Sequence, residues 1–139
     1  MNTDKMINAY VICALWSSVD DNDAPLDDNY TASDIAPESF ADMQDDCVRF
    51  LSEAAAIIPH LPEHYGDEDQ IGHDFWLTRN GHGAGFWARG DAKALTDLTE
   101  LSAQFGSVDL YVGDDSQIHS LRWGIMAAAS DKNRTQSSW

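Results

Sequence analysis

Basic residues are scarce in this sequence, which has only 8 Lys and Arg in 139 residues against 24 Asp and Glu. The net charge is −16 and the isoelectric point is near 4.2. Because a nucleic-acid binder needs a basic face that neutralises phosphates, this balance argues against direct binding of nucleic acid or of an anionic membrane. Long apolar runs are missing too. None approaches the roughly 20 residues of a membrane-spanning helix, so we expect no such segment.

Cysteine is limited to Cys13 and Cys47, and each lies in an apolar stretch. This setting predicts two buried thiols that behave as small hydrophobic side chains, not the framework of a disulfide-rich secreted protein. The apolar stretch 6–16 is interrupted by Asn8 and is followed by no A-x-A cleavage pattern. We therefore expect no signal peptide and a cytoplasmic location.

Recognisable metal, cofactor and nucleophile motifs are also missing. His60 and His64 have metal-ligand spacing, but Pro62 argues against a helix that presents both on one face, and no paired cysteines accompany them. Residues 20–23 supply carboxylate oxygens but lack the Gly and Glu of an EF-hand loop. No phosphate-binding loop and no G-x-S-x-G motif occur. We therefore expect no metal, no cofactor and no identifiable catalytic residue.

The first apolar segment predicts a helix from about residue 3 to 16, with Thr3 as its candidate cap. A buried strand over residues 9–16 fits almost as well, because nearly every residue there is apolar. Residues 17–36 then form a polar stretch of about 20 residues without apolar periodicity. A loop of that length in a compact domain is usually functional or mobile.

Two further segments have helical spacing. The clearest begins at Pro37, which suits the first helical position, and is ended by Pro59. The other follows Asp91, a candidate cap, and Gly106 suits its C-terminal end.

Short apolar segments predict the strands, which are expected at residues 75–78, 86–87, 108–112 and 118–123. The sequence therefore predicts an α+β fold, in which two or three helices pack on a small antiparallel sheet of about four strands. We expect one domain over residues 1–126 and a disordered tail over 127–139.

The negative charge is concentrated between residues 20 and 74, where 16 acidic residues accompany a single base, Arg49. The other 84 residues carry 8 acids and 7 bases. This segregation is typical either of a solvated acidic face or of a surface that competes for a basic groove, as nucleic-acid mimics do. The candidate partner-binding residues are Asp20, Asp21, Asp23, Asp27, Asp28, Asp42, Asp45, Asp46, Asp67, Glu68 and Asp69.

A second candidate site lies in residues 73–87, which we predict to form a β-hairpin around a glycine-rich turn. A His–carboxylate pair is the minimum for acid–base chemistry, although no partnered nucleophile is evident. The alternative is a hairpin that only fills the core with its aromatic side chains. The candidate ligand-site residues are His73, Asp74, Arg79, Asn80 and His82.

Two long stretches, 73–87 (HDFWLTRNGHGAGFW) and 106–115 (GSVDLYVGDD), resemble a family of small acidic proteins encoded by tailed phages and prophages. Shorter likenesses, such as 14–18 (ALWSS), extend the resemblance over about residues 9–119. One departure is Ala88, where the family has Asp. The family has no settled activity, so the resemblance implies a phage accessory protein in the host cytoplasm and transfers no catalytic or binding residue.

Three hypotheses follow. The leading one is an acidic inhibitory protein, an anti-defence or host-takeover factor, that occupies a basic nucleic-acid-binding groove of a host protein. The second is a small enzyme or ligand-binding domain centred on the predicted hairpin. The third is a component of the phage particle, for which the sequence offers no feature either way.

Overall fold

A computed structural model describes residues 2–57, 67–81, 86 and 93–122. The described part is mostly helical, with a two-stranded antiparallel sheet, which confirms a mixed α and β class. The elements are α1 (Thr3–Ser17), α2 (Pro37–Ile57), α3 (Glu68–Arg79), α4 (Lys93–Gln104), β1 (Val108–Val112) and β2 (Ile118–Arg122). The predicted tail, 127–139, lies outside the described residues. None of the helices in the described part is long and apolar enough to cross a lipid bilayer.

The first segment is a helix, as predicted, and the strand alternative is wrong. Its cap is Asn2 and not Thr3, because the Asn2 side chain accepts a hydrogen bond from the Lys5 backbone N–H at 3.1 Å. Met6, Tyr10 and other residues of α1 are completely buried, so this helix packs a broad face into the core.

Helix α2 begins at Pro37, where the fixed φ of proline suits the first helical turn. Its apolar residues recur every three to four positions and face the core, as expected from the sequence. The predicted stop, Pro59, lies outside the described residues, as does Asp91, the predicted cap of α4. Gly106 follows α4 with a φ of +74°, a left-handed conformation that glycine adopts without strain.

Helix α3 is where the sequence prediction fails. Residues 75–78 were expected to form a strand of a hairpin, but they lie within a helix that Asp67 caps. The cause is burial on almost every side, which removes the helical period and leaves a short apolar run that fits either structure. Gly72 allows α3 to pack tightly on α1, since a Cβ atom there would lie 2.3 Å from the Met6 carbonyl oxygen.

The hairpin of β1 and β2 forms where the sequence predicted it, with Val108 opposite Arg122 and Val112 opposite Ile118. Within the described residues the sheet has two strands and not four. One expected strand is helical, and the other, 86–87, is described only at Phe86. The Ala36 backbone N–H donates to the Ile118 carbonyl at 2.8 Å, which ties β2 to the start of α2.

Aromatic rings from α2 and α3, together with Phe86 and with Phe105 directly after α4, form the centre of the core. The Phe50 ring stacks on Phe75 at a centroid distance of 4.2 Å and on Phe86 at 5.5 Å, and Phe105 meets the Phe75 ring edge-on. Stacked and edge-on pairs of this kind contribute beyond the apolar area they bury. The core therefore fixes the relative positions of α2, α3 and the end of α4.

Both cysteines are free and buried, as the sequence predicted. Burial in apolar surroundings raises the pKa of the Cys13 thiol to about 12 and also raises the pKa of Cys47. Both side chains therefore stay protonated at neutral pH and lack the thiolate that reactive cysteines need.

Candidate functional site

Residues 19–30, which we call the acidic loop, form an ordered turn structure on α1. Val19 pairs with Pro25 in an antiparallel bridge, and the Leu26 N–H donates to the Ser18 carbonyl at 2.9 Å. Leu26 begins a short 3-10 turn and is fully buried against α1. The predicted long loop 17–36 thus contains regular structure, including a second 3-10 turn at Ala32–Asp34.

One carboxylate of the acidic loop shapes the turn. The Asp20 Oδ1 atom accepts hydrogen bonds from the backbone N–H groups of Asn22, at 2.8 Å, and Ala24, at 3.1 Å. Asp23 has a φ of +63°, which Asp tolerates better than most residues. The remaining acids of the loop are exposed to solvent, and they are Asp21, Asp23, Asp27 and Asp28.

The acids of α2 do not form one surface. Asp42 is half-buried and Asp45 is exposed, but the next residue, Asp46, is only 2% exposed. Asp42 and Asp45 border a shallow cleft of about 250 Å³ that Arg49 and Arg122 also line. The charge of this cleft is therefore mixed, in contrast to the acidic loop.

Asp46, a candidate partner-binding residue, and Arg79, a candidate ligand-site residue, form one buried ion pair. The Arg79 Nη1 atom donates to Asp46 Oδ2 at 2.7 Å and to the Tyr10 hydroxyl at 3.0 Å. Arg122, from β2, donates to the other carboxylate oxygen of Asp46. Because Asp46 and the Arg79 side chain are almost inaccessible to solvent, neither can bind an external partner. The structure therefore places both candidate residues in the interior.

The rest of the Arg79 guanidinium is satisfied by backbone and rings. It donates to the carbonyl oxygens of Phe105, at 2.7 Å, and Gly106, at 2.8 Å. The guanidinium carbon also lies 5.2 Å from the centroid of the Phe75 ring. Burial raises the pKa of Tyr10 above its usual range, so its hydroxyl stays neutral beside Arg79. This network joins α1, α2, α3 and the segment that leads into β1.

The acids at 67–69 connect two helix N-termini. Asp67 caps α3 by accepting from the Gln70 N–H at 3.2 Å, and its other oxygen accepts from the Lys5 ammonium at 3.1 Å. Two hydrogen bonds lower the pKa of Asp67. The larger effect comes from the Gln70 N–H and the smaller one from the Lys5 ammonium. Glu68 accepts from the Asn2 backbone N–H, and Asp69 lies 3.9 Å from Lys5. Neighbouring groups thus already engage these three predicted partner-binding acids.

The structure describes four of the five candidate ligand-site residues. His73 Nδ1 lies 3.2 Å from Asp74 Oδ1, as the sequence suggested, and Gln70 Nε2 donates to the same oxygen at 3.0 Å. Asp74 is fully buried, and Arg79 belongs to the interior. Asn80 connects α3 to β1, because its amide donates to the Trp76 carbonyl and accepts from the Val108 N–H. His82 lies outside the described residues, so the convergence of all five is not seen.

Sequence reasoning missed Arg122 and Tyr10 as partners of the buried pair. The signal that could have indicated them was the sequence context of Arg79. Arg79 follows the apolar run 75–77 with only Thr78 between, and in a chain with so few bases each base is a candidate partner for an acid. No group of three or more His, Cys, Asp and Glu suited to hold a metal ion occurs among the residues that the structure describes.

Comparisons with protein-family models, with curated proteins and with solved structures found no match for this chain. The resemblance to the phage-encoded family therefore stays a prediction. Any assignment of function must come from the chemistry of the described surface.

Proposed function

We propose that this protein is an acidic binding protein that occupies a basic, nucleic-acid-binding groove of a host protein, as a phage-encoded anti-defence or host-takeover factor would. The observation that carries the proposal is the acidic loop, which exposes Asp21, Asp23, Asp27 and Asp28 within eight residues. Between Lys5 and Arg49 the sequence contains no Lys, Arg or His, so no cation of this segment offsets them.

The ordered backbone of the acidic loop supports the proposal. A loop that is already held by Asp20 and by the buried Leu26 loses little conformational freedom when it binds. Its charges would accelerate the encounter with a cationic groove, and added salt would weaken that attraction.

The alternative of a purely solubilising charge explains less. Solubility depends on the net charge and not on its position, whereas like charges held within a Debye length, about 8 Å at physiological salt, repel one another and destabilise the fold. A binding role accounts for keeping four uncompensated carboxylates on one short loop. The surface is smaller than the sequence implied, because Asp46 is buried and residues 67–69 contact the N-terminal end of α1.

The test is capture of host proteins from a bacterial lysate by the tagged chain at 50 and at 500 mM salt. We expect a nucleic-acid-binding protein to be captured at low salt only and to be released by added double-stranded DNA. Asp27→Lys with Asp28→Lys should abolish the capture. The matched control, Glu100→Lys with Asp114→Lys, makes the same change of charge at exposed positions elsewhere and should retain it.

Two outcomes contradict the proposal. One is a captured protein that DNA does not release, because such a protein is not held through its nucleic-acid groove. The other is equal loss of capture in both charge variants, because net charge and not the acidic loop would then be responsible.

A further inference from the structure

Three large apolar side chains are exposed at the C-terminal end of α1, directly before the aspartates of the acidic loop. Ile12, Trp16 and Val19 have 54%, 46% and 50% of their surface exposed. Ile12 and Trp16 are four residues apart and therefore share one face of the helix. We call these three residues the apolar patch.

The structure holds the base of Trp16 in place. Its ring lies against the His73 ring, with centroids 6.1 Å apart and planes 30° from parallel. The neighbouring Ser17 hydroxyl donates to the Cys13 carbonyl at 2.7 Å and accepts from the Trp76 indole N–H at 2.7 Å. A large aromatic side chain that packs against the protein on one side and is exposed to solvent on the other resembles the anchor residues of protein interfaces.

In the sequence, the apolar patch leads directly into the acidic loop, because Val19 belongs to both. Apolar side chains that exclude water, bordered by charges that select the partner, are the usual anatomy of a protein interface. The net charge of the chain also indicates which kind of partner covers the apolar patch. A second copy of a chain with net charge −16 would bring acids against acids, whereas a cationic partner would not.

We propose that the apolar patch and the acidic loop form one docking surface for a Lys- or Arg-rich protein segment that also presents apolar side chains. The apolar side chains pack on Ile12, Trp16 and Val19, a cation can stack on the Trp16 ring, and further cations pair with the exposed aspartates. This inference rests on the proposed function and adds to it the chemistry of the segment that is recognised.

The test uses two synthetic 18-residue peptides that share the same lysines. The first has leucines at helical i, i+3, i+4 spacing, and the second has alanine at each of those positions. Fluorescence anisotropy of the labelled peptides gives Kd at 50 and at 300 mM salt. We expect the leucine peptide to bind at least tenfold more tightly at both salt concentrations, because its advantage comes from apolar contact.

The decisive variant is Trp16→Ala, with Tyr111→Ala as its matched control. Tyr111 is an aromatic residue of similar exposure, 48%, on β1. Trp16→Ala should remove the tenfold preference for leucine, whereas Tyr111→Ala should change Kd by less than twofold. Ile12→Ser, which leaves the indole in place, should remove much of the preference as well, and circular dichroism melts establish that each variant is folded.

Equal affinity for the two peptides overturns the inference, as does an equal effect of Trp16→Ala and Tyr111→Ala. So does sedimentation that shows a dimer in the wild type and a monomer in Trp16→Ala, because the patch would then bind a second copy. If the charge variant at Asp27 and Asp28 loses the lysate partner while Trp16→Ala keeps it, the proposed function stands and only this inference fails. If instead Trp16→Ala loses that partner and the charge variant keeps it, both this inference and the proposed function are overturned.

Discussion

The packed interior around Asp46 and the acidic loop use the same chemical group in opposite ways. In the interior, one carboxylate is 2% exposed and is bound by two guanidinium groups. In the acidic loop, four carboxylates face solvent and are held only by the backbone that carries them. Both regions contribute to the same excess of charge in the sequence. The difference shows that a count of acids overstates the surface available to a partner.

The interior should respond most strongly to mutation. Asp46→Ala leaves Arg79 buried without its counter-charge, and the loss of one partner from a buried ion pair typically costs about 3–5 kcal/mol. The adjacent Asp45 is exposed, so Asp45→Ala is the matched control and should change the free energy of unfolding by less than about 0.5 kcal/mol. Urea unfolding followed by circular dichroism measures both. A loss below 1 kcal/mol for Asp46→Ala would mean that the pair is not buried in solution.

Close packing in the interior should make an uncharged change costly too. In Gly72→Ala the new methyl group meets the backbone of Met6 and Tyr10 on α1, and we expect overpacking to cost about 1–3 kcal/mol. Gly113→Ala is the comparison, because its nearest atoms are the ends of the His119 and Asp115 side chains, which can move. Thermal melts of the two variants should differ clearly. Equal melting temperatures would contradict the close approach of α1 and α3.

Sequence patterns predicted the elements that bury one face. Helices α1, α2 and α4 and the hairpin all have the expected spacing, whereas α3 is buried around Phe75 and Trp76 on several sides and has no period to read. The acidic loop could be located from the sequence as well. The burial of Asp46 could not be predicted, because Asp46 stands beside the similar Asp45. Its partners, Arg79 and Arg122, lie 33 and 76 residues further along the chain.

Residues 67–69 are intermediate between the two regions, because they are mostly exposed but bound. The pKa of Asp67 is lowered from 3.8, so its ionised form stabilises the fold above that pH, and the contribution is lost as the pH falls through the lower, folded-state pKa. Asp67→Ala should therefore lower Tm at pH 7 by less than Asp46→Ala does, and the difference from the wild type should shrink at pH 2.5. Asp69→Ala, which removes only the longer contact with Lys5, should have a smaller effect at pH 7. A difference that stays constant with pH would show that charge has no part in the contact.

The acidic loop should show the smallest change in stability, and that small change is what separates a binding surface from a structural one. Neutralising two exposed carboxylates by Asp27→Asn and Asp28→Asn should alter the free energy of unfolding by no more than about 0.5 kcal/mol. The sign should be stabilising at low salt, since the substitutions relieve repulsion among like charges, and the gain should fade at high salt. Asp20→Ala should destabilise the protein more, because it removes the acceptor that holds the turn. Urea unfolding at 20 and at 500 mM salt measures each effect. A loss above 1 kcal/mol in the double variant would place these carboxylates with Asp46 as parts of the scaffold and would leave the acidic loop without spare charge for a partner.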